Sequence, residues 1–202
     1  MAFRLPFRSP SRPPEAPPGD VPSEVEVVPM RRKDVRSVVV IEEQIFPRPW
    51  SAALYLSELA QPETRAYFVA LVEGGLVGYT GCMLVAGEGH ITTVGVAPSW
   101  HRHGIGTRLL HRVATEARQR GAHALTLEVR VSNTGAQSLY RAFGFAPVGI
   151  RKNYYAEVNE DGLVMWVHDI DTDAYAERID ALLRRATIGP LGGADNDRGP
   201  RR

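Results

Sequence analysis

The residues best suited to chemistry form a run near the middle of the chain, TTVGVAPSWHRHGIGTRLL. In it Gly104 and Gly106 stand between a strand-like stretch and a helix-like one. Glycine lets main-chain N–H groups turn inward and approach a ligand closely. The first turn of a helix adds unsatisfied donors and a partial positive charge. Together these suit the oxygens of a phosphate, and Arg102 and Arg108 are near enough in sequence to add charge. Two nucleotide readings are excluded. A Walker loop needs a Gly-Lys-Ser or Gly-Lys-Thr end, and the chain has neither. A dinucleotide fingerprint needs a third glycine where Leu109 stands. His101 and His103 lack acidic or cysteine partners at ligand spacing, so no metal is expected. By itself a Gly-x-Gly before a helix is more often only a tight turn, and the flanking residues must decide.

The elements that hold this loop follow from periodicity. Alternation predicts strands over 24–29, 66–72, 76–85, 90–97, 124–131, 145–150 and 163–170. Helical spacing predicts helices over 33–46, 51–60 with Ser51 as cap, 105–120 and 133–143. Strands alternating with helices imply an α+β or α/β sheet with helices on its faces. Tyr175, Ile179, Leu182 and Leu183 predict a further amphipathic helix over 171–188, packed on the domain or open to a partner. The domain proper spans 24–170. Residues 1–23, rich in Pro and Arg, and 189–202, rich in Gly and polar residues, have the composition of disorder. The first tail reads as a plain extension or as a basic docking arm.

Composition narrows the partners. The chain has 202 residues, 44% hydrophobic and 23% charged, with 24 basic and 23 acidic residues. That balance argues against a nucleic-acid or membrane binder. The single cysteine, Cys82, allows no intrachain disulfide and fits a reducing cytoplasm. No apolar run approaches the roughly 18 residues of a membrane span, and 1–18 lacks the apolar stretch of a signal peptide. The oligomeric state stays open, with a monomer the simpler expectation.

VGVAPSWHRHGIGTRLL, then LEVRVSNTGAQSLYRAFGF, then RKNYY, resemble the GNAT family of acetyl-coenzyme A-dependent N-acetyltransferases. The resemblance is nearest to its RimI-like branch, which acetylates the N-terminal alanine of a small-subunit ribosomal protein. It covers about 24–170 and implies a mixed, mostly antiparallel sheet flanked by helices, in an α/β/α arrangement. Its central strands 4 and 5 would splay apart, with acetyl-coenzyme A in the gap. By match, the backbone of Val94, Gly95 and Val96 would pair with the pantetheine arm. The amides of Arg102, His103, Gly104, Ile105, Gly106 and Thr107 would hold the diphosphate, and Asn133 would touch coenzyme A. His101 departs from the Gln or Arg that usually opens this loop.

Acetyl transfer to an amine needs a proton acceptor, a stabilised oxyanion and a proton donor for the leaving thiolate. Leu125, Leu127 and Val129 alternate onto one face of a strand and leave Glu128 on the other. The resemblance makes Glu128 the base, acting best if desolvated or through a water. It makes Tyr140 the acid, its ordinary pKa near 10 being close to a thiol's. A strand bulge near Val96 would free an N–H for the oxyanion. Tyr154 and Tyr155 line an acceptor groove or pack on the last strand, and Trp50 walls the pocket or fills core. Three functions stay open: acetylation of a protein N-terminus, acetylation of a small amine or lysine side chain, and coenzyme A binding without catalysis.

Overall fold

The computed structural model describes residues 12–16 and 24–188. Among them the order is β1 (Glu26–Pro29), α1 (Val35–Ile45), α2 (Ala52–Leu59), β2 (Arg65–Val72), β3 (Gly75–Val85), β4 (Glu88–Val96), α3 (Ile105–Gln119), β5 (Ala124–Arg130), α4 (Thr134–Ala142), β6 (Ala146–Tyr155), β7 (Glu160–His168) and α5 (Asp173–Ile188). The strands form one seven-stranded sheet in the order β1-β2-β3-β4-β5-β7-β6. Neighbours run antiparallel except β4 and β5, which run parallel.

Apolar residues on both faces of the sheet fix the layers. Val35, Val38 and Ile41 of α1 and Tyr55 of α2 pack with Tyr67, Val69, Val77 and Tyr79 in one core. Ser51 starts α2 by accepting from Leu54 N at 3.2 Å. In the second core, Leu110, Val113 and Ala117 of α3 pack with Leu125, Leu127, Met165 and Val167. Full burial of each large aliphatic side chain here contributes about 1.5–3 kcal/mol. Tyr175 and Ile179 of α5 join this second core, so α5 lies on the domain.

The sheet opens at its centre. β4 and β5 pair only at Glu88–Ala124, Gly89–Leu125 and His90–Thr126, and then diverge. Opposite β3, β4 carries an extra residue at Thr92, between Ile91 and Thr93. Such a bulge bends the strand that carries it. It lies well upstream of Val96, where the sequence reading put it. Within the stretch 1–23, for which composition predicts disorder, residues 12–16 are seated. Pro14 O accepts from Trp100 Nε1 at 2.6 Å, and Pro14 Cγ would lie 2.6 Å from a Cβ at Gly75. The remainder of that stretch, and all of 189–202, lie outside the described residues.

Candidate active site

A cleft of about 1700 Å³ opens where β4 and β5 part. Main-chain groups on a strand alternate between its two neighbours. Ala97 N donates to Val77 O on β3 at 2.9 Å, so Gly95 also faces β3, while Val94 and Val96 face the gap and line the cleft. Gly95 is thus a correction to the expected pantetheine contacts. It lies under the Tyr79 ring, where a Cβ would fall 2.3 Å from Tyr79 Cζ. Val96 O also has a protein partner, His101 Nε2 at 3.0 Å.

The loop after β4 has the geometry of an anion cradle. Arg102 and Gly104 hold φ of +68° and +73°, and Gly104 caps α3. The first α3 amide with a main-chain partner is that of Arg108, donating to Gly104 O at 3.2 Å. Those of Ile105, Gly106 and Thr107 come before it, in residues that line the cleft. His103 turns its Nδ1 to His101 O at 2.9 Å and its ring to Trp100, and unlike its neighbours in the loop it is not among the residues that line the cleft. Arg108 is buried and donates to Ala186 O at 3.0 Å, so it does not reach the cleft as its position in sequence suggests. Asn133 caps α4, its Oδ1 accepting from Ala136 N at 3.1 Å, and its Nδ2 is left for the cleft it lines.

Glu128 projects from β5 into the same cleft with its side chain 4% exposed. Its Oε2 lies 2.9 Å from His90 Nε2, and its Oε1 3.0 Å from Arg151 Nη1. The Arg151 contact is an ion pair without hydrogen-bond geometry at Oε1. The His90 hydrogen bond outweighs burial, and with the Arg151 guanidinium it holds the Glu128 carboxyl below the usual range. Of the two conditions under which Glu128 would act best, desolvation or a water, burial here does not raise its basicity. His90 was not legible as a site residue, because only the β4–β5 register brings it to Glu128. The pair stands between the cleft and a second cavity of about 330 Å³, lined in part by Thr126, Val164 and Trp166.

Tyr140 lines the cleft from α4 and also packs on Phe145, ring centroids 5.9 Å apart. Burial pushes its hydroxyl up to about 12, further from a thiol than the free side chain. On the acceptor side, Trp50, Tyr154 and Tyr155 all line the cleft. Tyr155 Oη donates to Glu128 O at 3.1 Å, while Tyr154 crosses Gly162 of β7. These tyrosines therefore pack on the neighbouring strands and also face the groove. Glu42, at the end of α1, escaped the sequence reading because helical spacing marks it only as polar. It is buried, accepts from Tyr55 Oη and from Trp50 N at 3.4 Å, and lines the cleft. Burial raises its carboxyl pKa above the usual value, against the hydrogen bonds that lower it. Among the described residues no group of three or more His, Cys, Asp or Glu side chains is placed to hold a metal.

The profile of the Acetyltransferase (GNAT) family matches residues 35–145. The chain belongs to the GNAT family of acetyltransferases. This GNAT chain is 38% identical over 138 residues to a Bacillus subtilis protein named putative ribosomal protein bS18-alanine N-acetyltransferase, covering 68% of the chain and 91% of that relative. It is 35% identical over 147 residues to the Mycobacterium tuberculosis N-alpha-acetyltransferase RimI, covering 70% of the chain and 90% of the relative. In structure it resembles the Escherichia coli ribosomal-protein-S18-alanine N-acetyltransferase, with TM-score 0.66 and 29% identity over 72% of this chain and 94% of that one. GNAT acetyltransferases use acetyl-coenzyme A, and a neighbour at 19% identity and TM-score 0.65, the NatC complex, was solved bound to a Gag peptide and CoA. No described helix of this GNAT chain is long and apolar enough to cross a membrane.

Proposed function

We propose that this chain acetylates the N-terminal α-amino group of a protein beginning with alanine, and that its acceptor is a small-subunit ribosomal protein. The activities for which its relatives are named support the acceptor, and a ribosomal acceptor supports a cytoplasmic place of action. One observation carries the chemistry. A main-chain anion cradle and the His90–Glu128 pair face one cleft at the divergence of β4 and β5. Acetyl-coenzyme A supplies the activated acetyl group. The amides of Arg102 to Thr107 hold its diphosphate, and Val94 and Val96 hold its arm.

The electrostatics favour an α-amine over a lysine. Glu128 stays ionised and is a weak base. An α-amino group has a pKa of about 8, against about 10.4 for lysine, so it yields its proton far more readily near neutral pH. Glu128 with His90 takes that proton, directly or through one water. The amine then attacks the thioester carbon, and an N–H of β4 facing the gap receives the developing oxyanion. The carbon–sulfur bond breaks, and Tyr140 donates a hydrogen bond to the departing sulfur. Full proton transfer from a phenol near 12 to a thiolate whose acid is near 8.5 is uphill by about 4–5 kcal/mol. Tyr140 therefore acts mainly by stabilising the thiolate, and the thiol's proton comes ultimately from the amine. Trp50, Tyr154 and Tyr155 line the path of the acceptor chain.

The test offers the purified protein and acetyl-coenzyme A to peptides beginning in alanine, to lysine peptides with blocked N-termini and to a panel of small amines, read by mass spectrometry. Acetylation confined to the alanine N-termini is expected. Acetylation of the small amines alone would overturn the acceptor.

A further inference from the structure

The segment after β7 lies beyond the residues matched by the family profile, yet the structure fixes it firmly. Arg118 donates to Ile170 O, and to Thr172 O at 3.1 Å. His111 Nε2 meets Asp180 Oδ1 at 2.8 Å. Arg178 donates to Ala142 O at 2.9 Å and Arg141 O at 3.3 Å, at the end of α4. Arg108 Nη1 holds Ala186 O at 3.0 Å. These contacts run α5 along α3 and α4 and bring its last turn against the anion cradle. A Cβ at Gly104 would lie 3.0 Å from Ala186 O. Leu182, Arg185 and Ala186 thereby become part of the cleft wall.

A helix C-terminus carries carbonyl oxygens and partial negative charge, a poor surface to set beside a diphosphate. Two cations offset it here, and they differ. Arg108 is buried and bonded to the carbonyl of Ala186. Arg185 is exposed, lines the cleft and has no hydrogen bond or ion pair among the described residues. Coenzyme A is a linear series of thioester, pantetheine arm, diphosphate and 3′-phosphoadenosine. With the arm on β4 and the diphosphate on the loop, the next anion along the ligand is the ribose 3′-phosphate.

We propose that α5 forms an added wall of the coenzyme A site and that Arg185 binds the 3′-phosphate. This rests on the reading that the cleft takes coenzyme A. It makes the appended helix the part of the chain that distinguishes coenzyme A from its dephosphorylated form.

The experiment measures the affinities of coenzyme A and 3′-dephospho-coenzyme A by calorimetry on the full chain, for wild type, Arg185→Gln and Arg185→Lys. Wild type should prefer coenzyme A by roughly tenfold or more, as a charge-assisted phosphate contact implies. Arg185→Gln should lose that preference while binding the dephosphorylated ligand as wild type does, and Arg185→Lys should keep part of it. A preference unchanged in Arg185→Gln, an equal loss of both affinities, or no preference in wild type overturns the assignment. Wild-type protein that binds neither ligand overturns the coenzyme A reading itself and this assignment with it. Intact 3′-phosphate discrimination with no peptide acetylation defeats only the proposed acceptor.

Discussion

Glu42 and Glu128 line the same cleft, and their surroundings pull their protons in opposite directions. Glu128 has an imidazole and a guanidinium at hydrogen-bond range, and its carboxyl is held low. Among the described residues Glu42 has no ion pair with a cation. Its partners are the Tyr55 hydroxyl and the Trp50 amide, and burial holds its carboxyl high. Burial alone therefore does not make a base. What separates the two is what their neighbours can do with charge. His90 can carry a proton, whereas the donors around Glu42 only tether the loop at 46–50 to α1 and α2. On the proposed function, this comparison assigns proton exchange with the acceptor to Glu128 and a place in the cleft wall to Glu42.

The largest effect should come from Glu128→Gln. Loss of a positioned proton acceptor lowers kcat/KM by roughly 10²–10⁴-fold, and calorimetric affinity for coenzyme A should stay as in wild type. If turnover survives in Glu128→Gln and collapses in Glu42→Gln, the roles of the two carboxylates are reversed.

The difference between the two glutamates also marks how far the sequence is legible. The turn into α3 with its open amides could be read because all its parts lie in one run, from Val94 to Thr107, and local rules for glycine and helix starts apply to it. The alternation of Leu125, Leu127 and Val129 likewise put Glu128 on the face opposite the core. His90 could not be read, since its meeting with Glu128 depends on a parallel pairing that ends at Thr126. Arg108 differs from its sequence expectation for a similar reason. Proximity in sequence placed it at the loop, but the distant carbonyl of Ala186 claims its guanidinium. The turn of Gly95 toward β3 follows from the ladder with β3 and the Tyr79 ring, neither of which is local.

A middle-sized effect is expected on the leaving-group side. On the proposed mechanism, Tyr140→Phe removes one hydrogen bond to a developing charge, which is worth about 1.5–3 kcal/mol, or roughly 10–100-fold in kcat. KM for acetyl-coenzyme A should move little, because the bond strengthens only as sulfur gains charge. Steady-state kinetics with an alanine peptide provides the check. Equal changes in kcat and KM would return Tyr140 to a packing role beside Phe145.

The smallest effect on rate, and the sharpest test of the comparison, concerns Glu42→Gln. Its turnover should fall by less than the roughly 10²-fold that a proton carrier contributes, but its pH dependence should differ in sign from that of Glu128→Gln. A carboxyl raised in the folded protein favours folding most below its ordinary value of 4.5, and that contribution is lost as pH rises through the raised value. Glutamine does not titrate, so the melting temperature of Glu42→Gln should gain on wild type as pH climbs from 4.5. A lowered carboxyl does the reverse. The contribution of Glu128 is present above 4.5 and lost as pH falls through the lowered value. Glu128→Gln should therefore trail wild type by a constant margin at neutral pH, and the gap should close only in acid. Each kcal/mol corresponds to about 2–4 °C in a domain of this size, well within reach of thermal melts between pH 3 and 8. Parallel curves for the two variants would show that the hydrogen bonds of Tyr55 and Trp50 offset the burial of Glu42, and would remove the distinction between the two carboxylates.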